Sequence, residues 1–366
     1  MQKISSDIKS RSAGGEKGTL IDVSRKKGGT VRTPGAAILA AASTVGKKEH
    51  EGPLGGGFDF FDINDRFGQK TWEKSESEMQ RIALSGAMDK LGLNERVIDA
   101  IFAGDLLNQC VGSAYGLLEF DVPYFGLYGA CSTAAEGLML SAMTVSAGLY
   151  KKCAAVTSSH NASAERQYRM PLEYGGQRPP TAQWTVTGAG AFIVGKASDG
   201  TPGALIEDVM PGVVVEKGIK DASNMGAAMA PAAADTILRY LEENNKKPDD
   251  FDMIISGDLG SEGLSILGEL LTVSGLDVSR EGLLEDCGRL IYDTSAQDVH
   301  AGGSGCGCSA VTLAAHLLPR LQKGSLRDIL FIGTGAMMSP SSTKQGEAIP
   351  AVAHLVHLCS PVADKR

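Results

Sequence analysis

The sequence predicts an α/β fold built from two similar halves, with mixed sheets sandwiching buried helices. Three observations carry this. Ile98 to Leu106 reads as an acidic residue, an apolar strand and Gly-Asp-Leu, and Phe251 to Leu259 repeats that pattern. Gly129-Ala130-Cys131-Ser132-Thr133-Ala134 can be laid on Gly305-Cys306-Gly307-Cys308-Ser309-Ala310, and each opens an apolar helix. Glu136 is the single charge between Ser132 and Ala147, so that helix must be covered on nearly all sides. Two matches in the same order argue for an internal duplication, with halves at 35–200 and 201–366.

The elements follow from local pattern. Ala36 to Ala42 is a short apolar strand and the expected start of the fold. Met79, Ile82, Ala83, Ala87 and Leu91 share one face of a helix from Trp72 to Leu91. Thr71 is suited to cap it, and Gly92 to end it. Val97 to Asp105 is a buried strand ending on Gly-Asp. After the Ser132 helix, Gly148-Leu149 leads into a strand at Cys153 to Thr157. The second half does the same, with Gly324-Ser325-Leu326 leading into Ile329 to Gly333.

Residues 1–34 form a separate unit. They lack periodicity and carry eight Lys or Arg against three acidic residues. A flexible tail is the expectation, with an electrostatic tether to anionic lipid as the alternative. The whole chain has a formal charge of −8, so nucleic acid is not an expected partner. Seven cysteines, without a Cys-x-x-Cys pair, suit a reducing compartment and fit neither a disulfide framework nor a zinc site. No signal peptide and no apolar run of about 20 residues is visible, so a membrane-spanning segment is not expected.

Cys131 is the most chemical residue. It follows an apolar run and begins a helix, where the macrodipole and free N–H groups favour a thiolate or an incoming anion. At this point the chain resembles the thiolase superfamily, especially its ketoacyl-synthase III type, from Ala36 to Leu358. The resemblance rests on Ala130-Cys131-Ser132 and on the Gly-rich Thr187 to Val194. It implies the five-layered αβαβα fold and a homodimer. Six segments, among them Gly104 to Gln109, Gly129 to Thr133, Ser158 to Gln167, Met229 to Thr236 and Ala301 to Cys306, are similar to a branch of that superfamily from spore-forming bacteria. That resemblance implies a sporulation protein that binds dipicolinic acid and helps load it, with calcium, into the developing spore. It also implies an intracellular protein, peripheral at the inner spore membrane and working beside membrane partners.

The catalytic partners of Cys131 are not in their family places. Ketoacyl synthases carry a His where this chain has Ser256-Gly257-Asp258, and an Asn where it has Gly302-Gly303-Ser304-Gly305. An Asp beside the thiol would disfavour the thiolate and donates no hydrogen bond when ionised. Cys131 is therefore expected to keep its place without chemistry, with acyl transfer through a Cys131 thioester as the alternative. His160 is either a structural imidazole, a ligand contact or a base. His300, His316, His354 and His357 are expected to be structural or packing residues, and His50 to be solvated. A flat dianion needs N–H donors and positive charge. Candidate ligand residues are Cys131, Ser132, Thr133, His160, Asn161, Arg169, Arg178, Asp258, Gly303 and Ser304. Arg166 and Gln177 belong to the same loop region. No metal site or cofactor is expected; calcium accompanying the ligand could meet Asp105 or Asp258, which equally suit helix capping.

Overall fold

A computed structural model describes residues 29–168, 177–197 and 203–362. The strands of the first half are β1 (Val31–Arg32), β2 (Ala36–Gly46), β3 (Phe60–Asp62), β4 (Ala100–Gly104), β5 (Tyr124–Leu127), β6 (Lys152–Ser159), β7 (Trp184–Thr185) and β8 (Gly188–Lys196). Those of the second are β9 (Ala204–Met210), β10 (Met253–Ser256), β11 (Leu284–Asp286), β12 (Gly303–Ser304), β13 (Asp328–Ala336) and β14 (Ala351–Cys359). The main sheet runs β11-β10-β13-β14-β9-β2-β8-β6-β4-β5. Each half repeats one plan. In the first, β2 is antiparallel to β8, β8 is antiparallel to β6, and β6, β4 and β5 are parallel. In the second, β9, β14, β13, β10 and β11 follow the same senses in the same order. The halves join where β2 meets β9, at Ala37–Leu205 and Ile38–Ala204.

Helices complete the layers. The Trp72–Asp89 helix packs outside on β2 and β8, and the Met225–Asn244 helix outside on β13 and β14. The Thr133–Ser146 helix touches β4, β6 and β8 on one side and β13 and β14 on the other, so it lies between the halves. The helix beginning at Cys306 lies beside it against β6 and β8. This is the five-layered arrangement expected from the resemblance. Thr71 does cap its helix, accepting from the Lys74 N–H at 3.4 Å, and Gly92 adopts a left-handed φ of 62°.

Two expectations need correction. The fold starts before Ala36: β1 pairs with β9, and buried Thr30 donates its hydroxyl to Glu243 at 2.6 Å. His50 is not a solvated loop residue. It lies in a short helix, stacked on Phe61 with ring centroids 3.6 Å apart.

The central layer is tight because small residues let helix and sheet approach. A Cβ on Gly190 in β8 would stand 2.7 Å from the Ala310 Cβ and 2.9 Å from its carbonyl carbon. Overpacking of this kind costs about 1–3 kcal/mol. Gly190→Ala is therefore expected to lower the denaturation midpoint by that free energy, read from chemical unfolding curves with an unchanged slope.

Candidate functional site

Cys131 lies in a 3-10 turn, Ala130–Ser132, that precedes the Thr133–Ser146 helix. Ala130 takes a left-handed φ of 51° to make that turn. The sulfur is buried and stands against the Asp258 carboxylate. Asp258 comes from the loop after β10 and is held by three donors. The Thr334 hydroxyl lies at 2.7 Å, the Gly305 N–H at 3.0 Å and the Ser304 hydroxyl at 3.2 Å. Burial, then the charge of Asp258, pushes the Cys131 thiol well above its ordinary range. Burial likewise pushes Asp258 up, to about 6. Against the helix-terminus argument for a thiolate stand the dehydrated setting and the facing carboxylate, both of which favour the neutral thiol.

No imidazole replaces the missing base. Among the described residues, none of the six histidines has a hydrogen bond to Cys131. His160 Nε2 pairs with the Asp65 carbonyl at 2.9 Å, and Nδ1 accepts the Ala162 N–H at 3.2 Å. His300 faces Asp298, His316 faces Arg320, His354 accepts from Gly212, and His357 binds Tyr240 and Asp328. The pocket beside the sulfur is lined by Leu106, Ala130, Ala164, Tyr168, Thr185, Met225, Ser304, Ala336 and Met338, and holds about 50 Å³. That is room for a water or two, whereas a cavity of about 150 Å³ is what takes up a benzene ring.

The other candidate residues divide around this pocket. Ser132 and Thr133 turn their hydroxyls into their own turn, onto the carbonyls of Gly129 and Ala130. Gly303 is a packing residue whose carbonyl accepts from Gln183 at 2.8 Å. Asp105 caps the chain after β4, accepting from the Leu107 N–H and from Ser113. Arg166 pairs with Glu73 on the surface. Arg169 lies outside the described residues.

His160 and Asn161 open instead onto a second cavity, of about 450 Å³. Sequence reasoning missed its other walls: Lys47, Lys48, Glu49, Asp65, Trp72, Trp184, Thr187 and the turn 296–298. A signal was available, because the chain has only two tryptophans and both line this space. Lys48 Nζ stands 4.2 Å over the Trp184 ring, and the Arg178 guanidinium carbon 4.8 Å from it. Arg178 pairs with Asp298 at 3.0 Å through Nη2, and its buried Nη1 has no partner. Glu49 forms part of the floor. Its Oε1 accepts from the Tyr292 hydroxyl and from the Thr187 N–H at 3.0 Å, and its Oε2 is unpaired. Burial pushes the Glu49 carboxyl up to about 7, so near neutral pH it can hold a proton and donate it to an acceptor. His160 is kept below its usual value by burial, so it is neutral there.

The fold is of the thiolase-like, ketoacyl-synthase III kind, and in it a buried cysteine faces the Asp258 carboxylate rather than an imidazole. Solved structures agree on the fold. The 3-oxoacyl-[acyl-carrier-protein] synthase III of Aquifex aeolicus VF5 aligns over 89% of this chain and 100% of its own, at 14% identity and a TM-score of 0.55. OleA of Xanthomonas campestris aligns over 90% and 99%, at 12% identity and a TM-score of 0.56. In sequence, the chain is 43% identical over 318 residues to the stage V sporulation protein AD of Bacillus subtilis (strain 168), covering 87% of this chain and 92% of that protein. The profile of the stage V sporulation protein AD (SpoVAD) family matches residues 29–359. The chain belongs to that family, and its role is in sporulation. No described helix is long and apolar enough to cross a membrane.

Proposed function

We propose that this protein binds dipicolinic acid, a planar aromatic dicarboxylate, for uptake into the developing spore, and that it does so without catalysis. The observation that carries the reading is the 450 Å³ cavity. It combines two indoles, a lysine without a carboxylate partner among the described residues and a buried carboxyl able to donate, with Arg178 against the Trp184 ring beside it. A ligand carboxylate meets Lys48 at the rim, and the ring lies among Trp72, His160 and Trp184. Asp65, Glu51 and Asp298 also line the space, so calcium carried with the ligand would offset their charge. The 50 Å³ pocket at Cys131 supports no comparable fit.

The protein acts as a homodimer beside membrane partners, peripheral at the inner spore membrane. The edge of β5 supports a dimer, because among the described residues it pairs on one side only and exposes Tyr124 and Phe125, with Tyr128 just beyond.

The test is ligand-induced thermal stabilisation of the full chain with dipicolinate, with and without calcium. Stabilisation should follow RT ln(1 + [L]/Kd). Lys48→Ala is expected to weaken binding about tenfold, the loss of one charge-assisted contact. Cys131→Ala should leave affinity unchanged. An acyl adduct on Cys131 after incubation with acyl-CoA, seen by intact mass, would overturn the non-catalytic reading in favour of an acyltransferase or condensing enzyme. The absence of any shift with dipicolinate would overturn the ligand.

A further inference from the structure

A second cluster lies where β13 begins and β14 ends, and none of its three residues lines either cavity. His357 and Cys359 alternate on β14 and so share a face, and Asp328 is the cross-strand partner of Cys359 on β13. The Cys359 sulfur is 3.4 Å from His357 Nε2 and 3.6 Å from Asp328 Oδ2. His357 Nε2 is 2.5 Å from Asp328 Oδ1. We propose that Asp328, His357 and Cys359 form a site for a zinc-class divalent transition metal, with a fourth position open to solvent.

The geometry fits. Tetrahedral zinc with Zn–S near 2.3 Å and Zn–N near 2.0–2.1 Å separates sulfur from the other ligand atoms by about 3.5 Å. The two sulfur distances already match. The imidazole–carboxylate contact must lengthen, and Asp328 is free to move because its side chain is 40% exposed. Thiolate, imidazole and carboxylate together select zinc-like ions over calcium or magnesium. Cys359 is also the one cysteine of the seven that is not buried, so an ion can reach it.

The outer contacts are those a metal-bound imidazole needs. His357 Nδ1 meets the Tyr240 hydroxyl at 3.0 Å and the Asp208 carboxylate at 3.6 Å. Asp208 is fixed by Arg32 at 2.8 Å. Such partners set the tautomer that leaves Nε2 to the ion. Binding releases the Cys359 thiol proton, and any proton on His357 Nε2, to solvent. An ion here would tie β14 to β13, and through Asp208 and Arg32 to β9 and β1, close to where the chain emerges from residues 1–28.

The experiment uses the full chain, reduced and stripped with chelator, and titrated with Co²⁺. One equivalent should give the near-ultraviolet thiolate-to-cobalt charge-transfer band with tetrahedral visible bands, both bleached by Zn²⁺. Cys359→Ser should abolish the charge-transfer band. Asp328→Asn, at a half-exposed position, should keep the band and weaken binding at least tenfold. A missing band in the folded wild-type chain, or a band that persists in Cys359→Ser, would overturn the site.

Discussion

Asp258→Ala is expected to be the most damaging single substitution in the central layer. Removing the carboxylate strands the Thr334 hydroxyl, the Ser304 hydroxyl and the Gly305 N–H, all buried, and leaves a void beside Cys131. Each buried group left unpaired costs about 1–3 kcal/mol, and the two hydroxyls can turn to recover part of that. A loss of about 3–5 kcal/mol is expected, measured by chemical denaturation. Asp258→Asn separates charge from packing. It keeps the shape and one acceptor, so its stability cost should be smaller. It also removes the charge that, after burial, raises the thiol, so Cys131 should alkylate faster at pH 8 than in the wild type. An unchanged alkylation rate in a folded Asp258→Asn protein would mean that burial alone silences the sulfur.

Stability is expected to fall as pH rises from about 5 to about 7. Glu49 is the clearest source. Its carboxyl sits at 4.5 in the unfolded chain and at about 7 when folded, raised by burial. A raised carboxyl binds its proton more tightly in the folded state. Its contribution is therefore complete below pH 4.5 and is lost as pH rises through 7. A shift of this size is worth on the order of 3 kcal/mol. Glu76 is pushed the same way by burial and by the charge of Asp105, and Asp258 loses its contribution between 3.8 and about 6. His354 opposes them on the acid side. Burial lowers it to about 4, so its neutral form gives stability that is lost as pH falls below 6.5. The midpoint of thermal unfolding should thus decline gently from pH 5 to 6.5, where His354 offsets one of the carboxyls, and further towards pH 8 as Glu49 and Glu76 lose their protons. Glu49→Gln should flatten the slope between pH 5 and 7; an unaltered slope would remove Glu49 as its cause. Because the proton on Glu49 also serves the proposed cavity, dipicolinate affinity should weaken over the same window.

The chain order of strands and helices was legible because it rests on local pattern. Alternating apolar runs, Thr71 before a periodic helix and the repeated Gly-Asp-Leu each report their own neighbourhood, and the duplication made each half a check on the other. The start of the fold was less legible. Val31–Arg32 is too short and polar to read as a strand, and it exists because β9 supplies its partner.

The site divides along the same line. Composition and motif by themselves determined the family fold, the place of Cys131 before a buried helix and the presence of Asp258 where an imidazole would be needed. Tertiary structure decided what those residues amount to. It set the sulfur against the carboxylate in a space of about 50 Å³, turned Ser132 and Thr133 back on their own turn, and anchored His160 to Asp65. It also gathered Lys48, Glu49, Trp72 and Trp184, which lie up to 136 positions apart in the chain, around one cavity. The physical reason is range. Backbone preference and amphipathic spacing act within a few residues, whereas dehydration, charge–charge contact and cavity shape depend on which distant segments the packed layers bring face to face.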